Sequence, residues 1–365
     1  MQPIQPNDYV PVLIAKQGER KAVSSLPHNI KNSTTPLFVA PPLDVDFETG
    51  SAKKSIDDHV SKFPVQLAES WGSSAAFLDA GYLPDSPLVH GEHALEYIVR
   101  SARQEGLPLT PVTAPSRPAA HISAVSRSID ELDEREVGIR LTADEWPAVA
   151  GYTELNNLMA TLNVRPEQVH LLFDLSEETG HVATALAIAE IRGLKDSFDW
   201  KSLALLSTGI PVSMPSGRGI HELDRSDWRL YSSVRAALAQ TSSRTPSFGD
   251  YAVAGASLAP EVDPRLLSIS GTIRYTIDDR WIISKGALYK GPGGTSVGGK
   301  AVVEAAEALR ADGRFLASNH CETEKWVENV ADELRNGGNP TVWREVGTRH
   351  HLTFVTQQIA TTFGP

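Results

Sequence analysis

Cysteine is nearly absent: one residue, Cys321, in a chain of 365. No intrachain disulfide is possible, and a reducing compartment fits that usage. A chain of this length can bury enough apolar surface to need no covalent or metal staple. The opening residues Met1-Gln-Pro-Ile-Gln-Pro-Asn-Asp8 lack both the basic patch and the apolar run of a signal peptide. Long apolar runs are missing as well. The longest, around Val182 to Ile191, is interrupted by Glu190 and is too short to span a membrane. A cytoplasmic protein without a membrane partner is therefore expected. Basic residues are outnumbered: 34 Lys and Arg face 45 Asp and Glu, for a formal net charge of −11. The excess acid lies before about residue 265, and the two signs balance afterwards. Non-specific nucleic-acid binding needs a basic surface and is not expected, although a local basic pocket in the last third is compatible with the balance.

What the chain does have is a succession of short apolar runs. They are Val10–Ala15, Pro36–Ala40, Ala75–Ala80, Leu109–Thr113, Val137–Leu141, Val169–Leu175, Ser202–Leu206 and Tyr251–Ala254. Most are continuous rather than alternating, as strands covered on both faces are. Helical periodicity fills the gaps. Trp146 to Leu162 carries Val149, Leu155, Leu158, Met159 and Leu162 on one face, behind a capping box from Thr142 to Glu145. Glu178–Ile191 and Asp227–Gln240 are amphipathic too; Asp44–Trp71 is the weakest helical connection. Eight strands each followed by a helix predict an α/β fold of the TIM-type (β/α)8 barrel over residues 1–262, with a doubly wound open sheet as the alternative. Residues 263–365 read as a C-terminal extension packed on the barrel. It comprises a hairpin (Ser268–Thr276 and Trp281–Ser284), a Gly-rich loop at 291–299, helices Lys300–Arg310 and Cys321–Leu334, and a last strand His351–Gln357.

Several stretches resemble the bacteriophage beta protein family. They are Tyr9-Val-Pro-Val-Leu-Ile-Ala-Lys-Gln-Gly-Glu19, Pro36-Leu-Phe-Val39, Ile273-Arg-Tyr-Thr276, Trp281-Ile-Ile283, and Asn339-Pro-Thr-Val-Trp-Arg-Glu-Val-Gly-Thr-Arg-His-His-Leu-Thr353. The resemblance spans nearly the whole chain and departs at Asn319-His-Cys-Glu322. It implies a phage or bacterial setting and a set of polar positions, but no reaction.

Catalytic groups of a barrel sit at the C-terminal ends of strands and in the loops that follow. Those ends carry Lys16, Glu19, Asp44, Asp79, Thr113, Arg140, Thr142, Asp174 and Ser207. Lys16 and Arg140 would give charge-assisted bonds to a phosphorylated or zwitterionic ligand. Asp44, Asp79 or Asp174 would hold a divalent metal ion, or Asp79 or Asp174 would serve as a base. The bland reading makes these groups helix caps and loop ion pairs. In the extension, Arg274, Tyr275, Trp343 and Arg344 are candidate ligand-binding residues. One of His350 and His351 is a candidate acid–base, because neighbours on a strand face opposite sides and imidazole titrates near neutrality. The alternative is a histidine that bonds backbone at a strand start. Arg140 and Arg344 are expected in one cavity, beneath an extension that acts as a lid.

Gly294-Thr-Ser-Val-Gly-Gly-Lys300 fits the phosphate-loop pattern, but Ala301 replaces the hydroxyl residue that binds Mg²⁺. A mobile surface loop is the better reading there. His320-Cys321 shows no two further zinc ligands at recognisable spacing, so a structural zinc site is rejected. Two functions remain open. One is a barrel-mouth site that binds, or binds and hydrolyses, a phosphate-bearing small molecule or nucleotide. The other is a non-catalytic protein that binds a signal or a protein partner in phage–host conflict, an antiviral-defence role.

Overall fold

A computed structural model describes residues 1–131, 135–194, 199–241, 243–256, 269–290 and 297–364, with the side chains of residues 148 and 149 omitted. Seven strands follow one another in sequence: β1 (Val12–Ile14), β2 (Leu37–Val39), β3 (Ala76–Asp79), β4 (Leu109–Thr113), β5 (Val137–Thr142), β6 (Val169–Asp174) and β7 (Ser202–Ser207). With β9 (Ser247–Asp250) they form an eight-stranded parallel sheet in order of sequence. The sheet curls until it is nearly closed. A parallel bridge joins Tyr9 to Phe248, and the Val10 N–H donates to the Phe248 carbonyl at 2.9 Å.

Alternation along the strands separates two apolar layers. Val12, Leu37, Phe77, Val112, Leu172 and Ala204 pack together inside the curl. Leu13, Phe38, Leu78, Ile139, Phe173 and Leu205 face outward into the layer shared with the helices. Both faces are buried, which is why the strands read as continuous apolar runs. Closure needs a bare backbone at Gly249. A Cβ there would lie 2.5 Å from the Val10 carbonyl oxygen and 2.2 Å from Leu206 Cδ2.

The eighth apolar run, Tyr251–Ala254, is not a strand. Pairing ends at Asp250, and the run is the loop beyond it. It is apolar because the following segment covers it: Val253 packs with Trp281 and Ile283. The periodic stretch at 146–162 is also divided. Gly151, at φ 76°, separates Pro147–Ala150 from Thr153–Leu162. Val149 lies outside the described side chains. The capping box is present: Glu145 accepts from both the N–H and the hydroxyl of Thr142. The weak connection after β2 does hold helices, Ile56–Val60 and Phe63–Trp71.

The expected hairpin is formed by β10 (Ser270–Ile277) and β11 (Arg280–Leu288). A strand from the loop after β7, β8 (Gly219–Asp224), pairs with β11 and makes a second, three-stranded antiparallel sheet. Helices Val303–Ala311 and Glu322–Ala331 cover this sheet. Most of the Gly-rich loop, residues 291–296, lies outside the described residues. The last strand expected at His351–Gln357 is instead part of a long helix, Pro340–Phe363. Its β-branched residues resemble a strand, but Asn339 caps the N–H groups of Thr341 and Val342, and Pro340 occupies the first turn. Leu352, Val355 and Ile359 recur at helical spacing and enter the main core.

That helix ties the second sheet to the barrel through His351, which has no exposed surface. Its Nε2–H donates to Asp250 Oδ2 at 2.8 Å, and its Nδ1 accepts from the Thr276 hydroxyl at 2.7 Å. The Tyr9 hydroxyl donates to the other oxygen of Asp250. Trp281 stacks on the imidazole with centroids 4.7 Å apart. Among the described residues no helix is long and apolar enough to cross a membrane.

Two outcomes follow from this packing. Gly249→Ala is expected to lose about 1–3 kcal/mol of stability in urea denaturation through overpacking of the seam; an unchanged midpoint would contradict the closure. His170 is buried inside the sheet, 2.6 Å from the Ser202 hydroxyl, and burial lowers its pKa from 6.5 to about 3. Below about pH 6.5 the unfolded chain takes up a proton that the folded ring refuses. Stability should therefore fall as pH drops from 6.5 towards 3, by about 1.4 kcal/mol per pH unit at most from this group. In His170→Gln, denaturation midpoints measured across that range should decline less steeply.

Candidate functional site

The inward parity that sets Phe77 and Leu172 inside the sheet also turns Asp79, Arg140 and Asp174 towards its C-terminal mouth. There they meet Tyr251. Arg140 Nε–H donates to Asp174 Oδ2 at 2.8 Å, Nη1 to Asp79 Oδ2 at 2.8 Å, and Nη2 to the Tyr251 hydroxyl at 2.7 Å. Tyr251 donates in turn to Asp174 at 2.5 Å. Arg117, from the loop after β4, reaches both oxygens of Asp79 at 3.0 and 3.1 Å. Both carboxylates are almost wholly buried.

Burial favours the neutral form of Asp79, but Arg140 and Arg117 outweigh it and hold the carboxyl below its ordinary range. Burial likewise opposes the charge on Arg140, and Tyr251, Asp174 and Asp79 more than offset it. Burial first, and then Asp174, pushes the Tyr251 phenol up, so it is a neutral donor. The knot is charge-balanced and its oxygens are engaged. It borders a cavity of about 350 Å³ that also exposes Arg117 and Ser176.

Asp79, Asp174 and Asp250 share a local device at the end of their strands. Each accepts the N–H two residues on, from Gly81, Ser176 and Ala252, at 2.8 Å. Ser176 and Ala252 are thereby held at φ 51° and 48°, a left-handed backbone unusual for residues with a Cβ.

A larger cavity, about 530 Å³, opens between the mouth and the second sheet. Lys16, Glu19, Arg274 and Arg344 line it. Lys16 and Glu19 begin the first helix, Gln17–Ser24, whose N-terminal N–H groups have no side-chain cap. The last helix starts at the same cavity, through Pro340 and Thr341. The two helices approach closely: a Cβ on Gly18 would lie 2.9 Å from both Arg344 Cγ and the Thr341 carbonyl oxygen.

Among the described residues, three cations face one carboxylate here. Arg344 Nε stands 3.6 Å from Glu19 Oε1. The Val253 carbonyl accepts from Arg344 at 3.3 Å and from Arg274. Among the described residues Arg274 has no carboxylate within salt-bridge distance. Burial, and then the Arg344 guanidinium, pushes the Arg274 pKa down to about 9. It remains charged at neutral pH and is under-compensated. Burial raises the Glu19 carboxyl, against the opposing pull of Arg344.

Of the residues expected at a site, Lys16, Glu19, Arg274 and Arg344 therefore converge. Arg140, Asp79 and Asp174 also converge, but in the smaller cavity, so Arg140 and Arg344 do not share one. Asp44 is exposed and apart from both cavities. Asp79 and Asp174 are clamped by guanidinium groups and are not among the metal-ligand clusters found in the described residues. Four candidates belong to the core instead. Trp343 is buried, and its indole N–H donates to the Gly337 carbonyl at 2.7 Å. Tyr275 is buried and stacks on His350 with centroids 3.8 Å apart. His350 lies between Glu324 Oε1 and the Thr276 carbonyl, each at 2.8 Å, and His351 is held by Asp250. Because the segment is helical, both rings can be buried on separate partners. Arg117 and Tyr251 join the site without a signal in the sequence: nothing local marks Arg117, and Tyr251 stands in an apolar run that reads as a strand rather than as the loop after one.

The family model described as Beta protein matches residues 9–357. A search among curated proteins finds no match.

Removing the guanidinium of Arg140 leaves two buried carboxylates without their shared partner. Arg140→Ala is expected to lose about 3–5 kcal/mol in urea unfolding. A loss below about 1 kcal/mol would show that the knot does not hold the mouth together.

Proposed function

We propose that this chain, which belongs to the Beta protein family, binds a phosphate-bearing small molecule in the larger mouth cavity. In this reading the sheet is a TIM-type barrel of residues 1–262, and residues 263–365 are the extension that completes the cavity wall. The observation that carries the proposal is the cluster Lys16, Arg274 and Arg344 around the Glu19 carboxylate, the single one among the described residues that line the cavity, on a chain with net charge −11. Concentrating cations in a concave, partly desolvated place is unfavourable unless an anion completes them. Guanidinium groups suit phosphate oxygens through paired N–H donors. Two helix N-termini at the same wall add partial positive charge, and the first turn of Gln17–Ser24 presents N–H donors that no N-cap side chain occupies. The volume, about 530 Å³, suits a ligand of nucleotide size.

The reading stops at binding. His350 and His351, the expected acids, lie in the core. Glu19 is the one carboxyl among the four cavity residues, and its raised pKa makes it a proton acceptor that competes with an anion for Arg344.

Inorganic pyrophosphate titrated calorimetrically is the probe. Arg344→Ala should weaken its binding about tenfold or more, the effect of one lost charged hydrogen bond. Glu19→Gln should tighten it, because a competing negative charge goes. No binding to the folded wild-type chain, or equal affinity in Arg344→Ala, would refute the proposal.

A further inference from the structure

The sequence around Cys321 shows no zinc spacing, but the fold assembles what the spacing does not. His320, Cys321, Glu324 and His350 bring one ligand atom each to within 4.8 Å of one another. Cys321 caps the helix Glu322–Ala331, so Glu324 is one turn further along it. His350 reaches the same point from the last helix. Glu324 and His350 are fully buried, and His320 and Cys321 are partly so. We propose that these four side chains form a zinc-binding site.

Three features support a cation at this point. The first is the His350 ring. Its Nε2 faces the Thr276 carbonyl and its Nδ1 faces Glu324 Oε1, both at 2.8 Å. Both neighbours are acceptors. Without metal a protonated ring donates to both; in the neutral ring with its proton on Nε2 the Nδ1 lone pair faces the carboxylate oxygen, and a metal ion bound by both, once they part, satisfies each. A ligating histidine that donates its other N–H to a backbone carbonyl is the usual arrangement at such sites. The second is His320, whose Nε2 is buried and has no hydrogen-bond partner. The third is the outer shell already in place around Glu324. The Tyr275 hydroxyl donates to Oε1 at 3.0 Å, and the Cys321 N–H donates to Oε2 at 3.0 Å.

The donor set selects the metal. Two nitrogens, a thiolate and a carboxylate match four-coordinate zinc, and the two anionic ligands neutralise its charge. Mg²⁺ and Ca²⁺ prefer oxygen alone. Tetrahedral bonds of about 2.0–2.3 Å put ligand atoms about 3.3–3.8 Å apart, so the widest pairs need to close by about 1–1.5 Å and the His350 Nδ1–Glu324 Oε1 pair, at 2.8 Å, needs to open by about 0.5–1 Å. The other cluster, Asp85 with His93 and His121, does not compete on these grounds. His93 Nδ1 accepts the Leu95 N–H, which leaves the proton on Nε2, the atom facing Asp85. A metal at the four-residue site would join the start of helix Glu322–Ala331 to the helix that carries Arg344.

The full-length chain, stripped with a chelator and dialysed, is titrated with Co²⁺ as a spectroscopic substitute and then with Zn²⁺. Cys321 is the only cysteine, so a thiolate-to-cobalt charge-transfer band can arise at this residue alone. One equivalent of Co²⁺ should develop the band, and Zn²⁺ should displace it. Cys321→Ser should abolish the band while circular dichroism shows the fold retained. His320→Ala, a change at a partly exposed ligand, should weaken metal binding beyond the roughly 10–100-fold that follows loss of an outer-shell partner. A folded wild-type chain without the band would overturn the proposal. So would a His320→Ala chain that binds as tightly as wild type.

Discussion

The carboxylate of Asp250 is the constraint on which the rest of the arrangement hangs. It ends the last strand of the sheet, receives the Tyr9 hydroxyl from the segment before the first strand, and receives the His351 N–H from the last helix. Burial would favour its neutral form, but His351 and Tyr9 keep the carboxyl below its usual range. A buried charge held by three donors, the Ala252 N–H being the third, is expensive to disturb, because removing Tyr9 or His351 takes away a hydrogen bond that no water replaces. One side chain thereby fixes the closing seam, the backbone turn at Ala252 and the seat of the extension. Arg225, with no exposed surface, reinforces that seat through the Asp278 carbonyl at 2.8 Å and Gln358 Oε1 at 2.6 Å.

The two mouth cavities owe their different chemistry to this placement. In the smaller one, both Arg140 and Arg117 find a carboxylate, since Asp79 ends β3 and Asp174 ends β6 of the same curled sheet and both turn into its mouth. In the larger one, Arg274 and Arg344 arrive from the extension, where the local balance of charge is even, and among the described residues the carboxylate they meet is Glu19. The acidic excess of the chain lies elsewhere. A patch of positive potential on an acidic protein arises here because two distant segments each contribute cations to one wall. The Val253 carbonyl, shared by both guanidinium groups, keeps them adjacent despite their repulsion.

Much of this is legible in the sequence, and the reasons for the rest are physical. Val169–Asp174 reads as a buried strand because both of its faces are covered, and Lys16 and Arg140 follow from knowing where strands end. Tyr251–Ala254 looks the same in composition, yet its burial comes from the extension rather than from strand pairing. Apolarity reports that a residue is covered and says nothing of what covers it. The helix 340–363 carries a cap and a proline at its start, but its threonines and valines imitate a strand. Strand β8 is half exposed and polar, so no apolar run marks it. The cluster of His320, Cys321, Glu324 and His350 depends on the packing of two helices, and no local spacing encodes that. Glu19, Arg274 and Arg344 were separately visible; their convergence required the fold.

The central claim is that the extension, seated by Asp250, brings Arg274 and Arg344 to Lys16 and so builds an anion site at the mouth. A crystal structure of the chain grown with pyrophosphate tests it most directly. The account predicts the anion bound between Lys16, Arg274 and Arg344, at the first turn of the helix Gln17–Ser24, with the Asp250–His351 hydrogen bond intact. An anion bound elsewhere, or guanidinium groups of Arg274 and Arg344 turned away from Lys16, would contradict it.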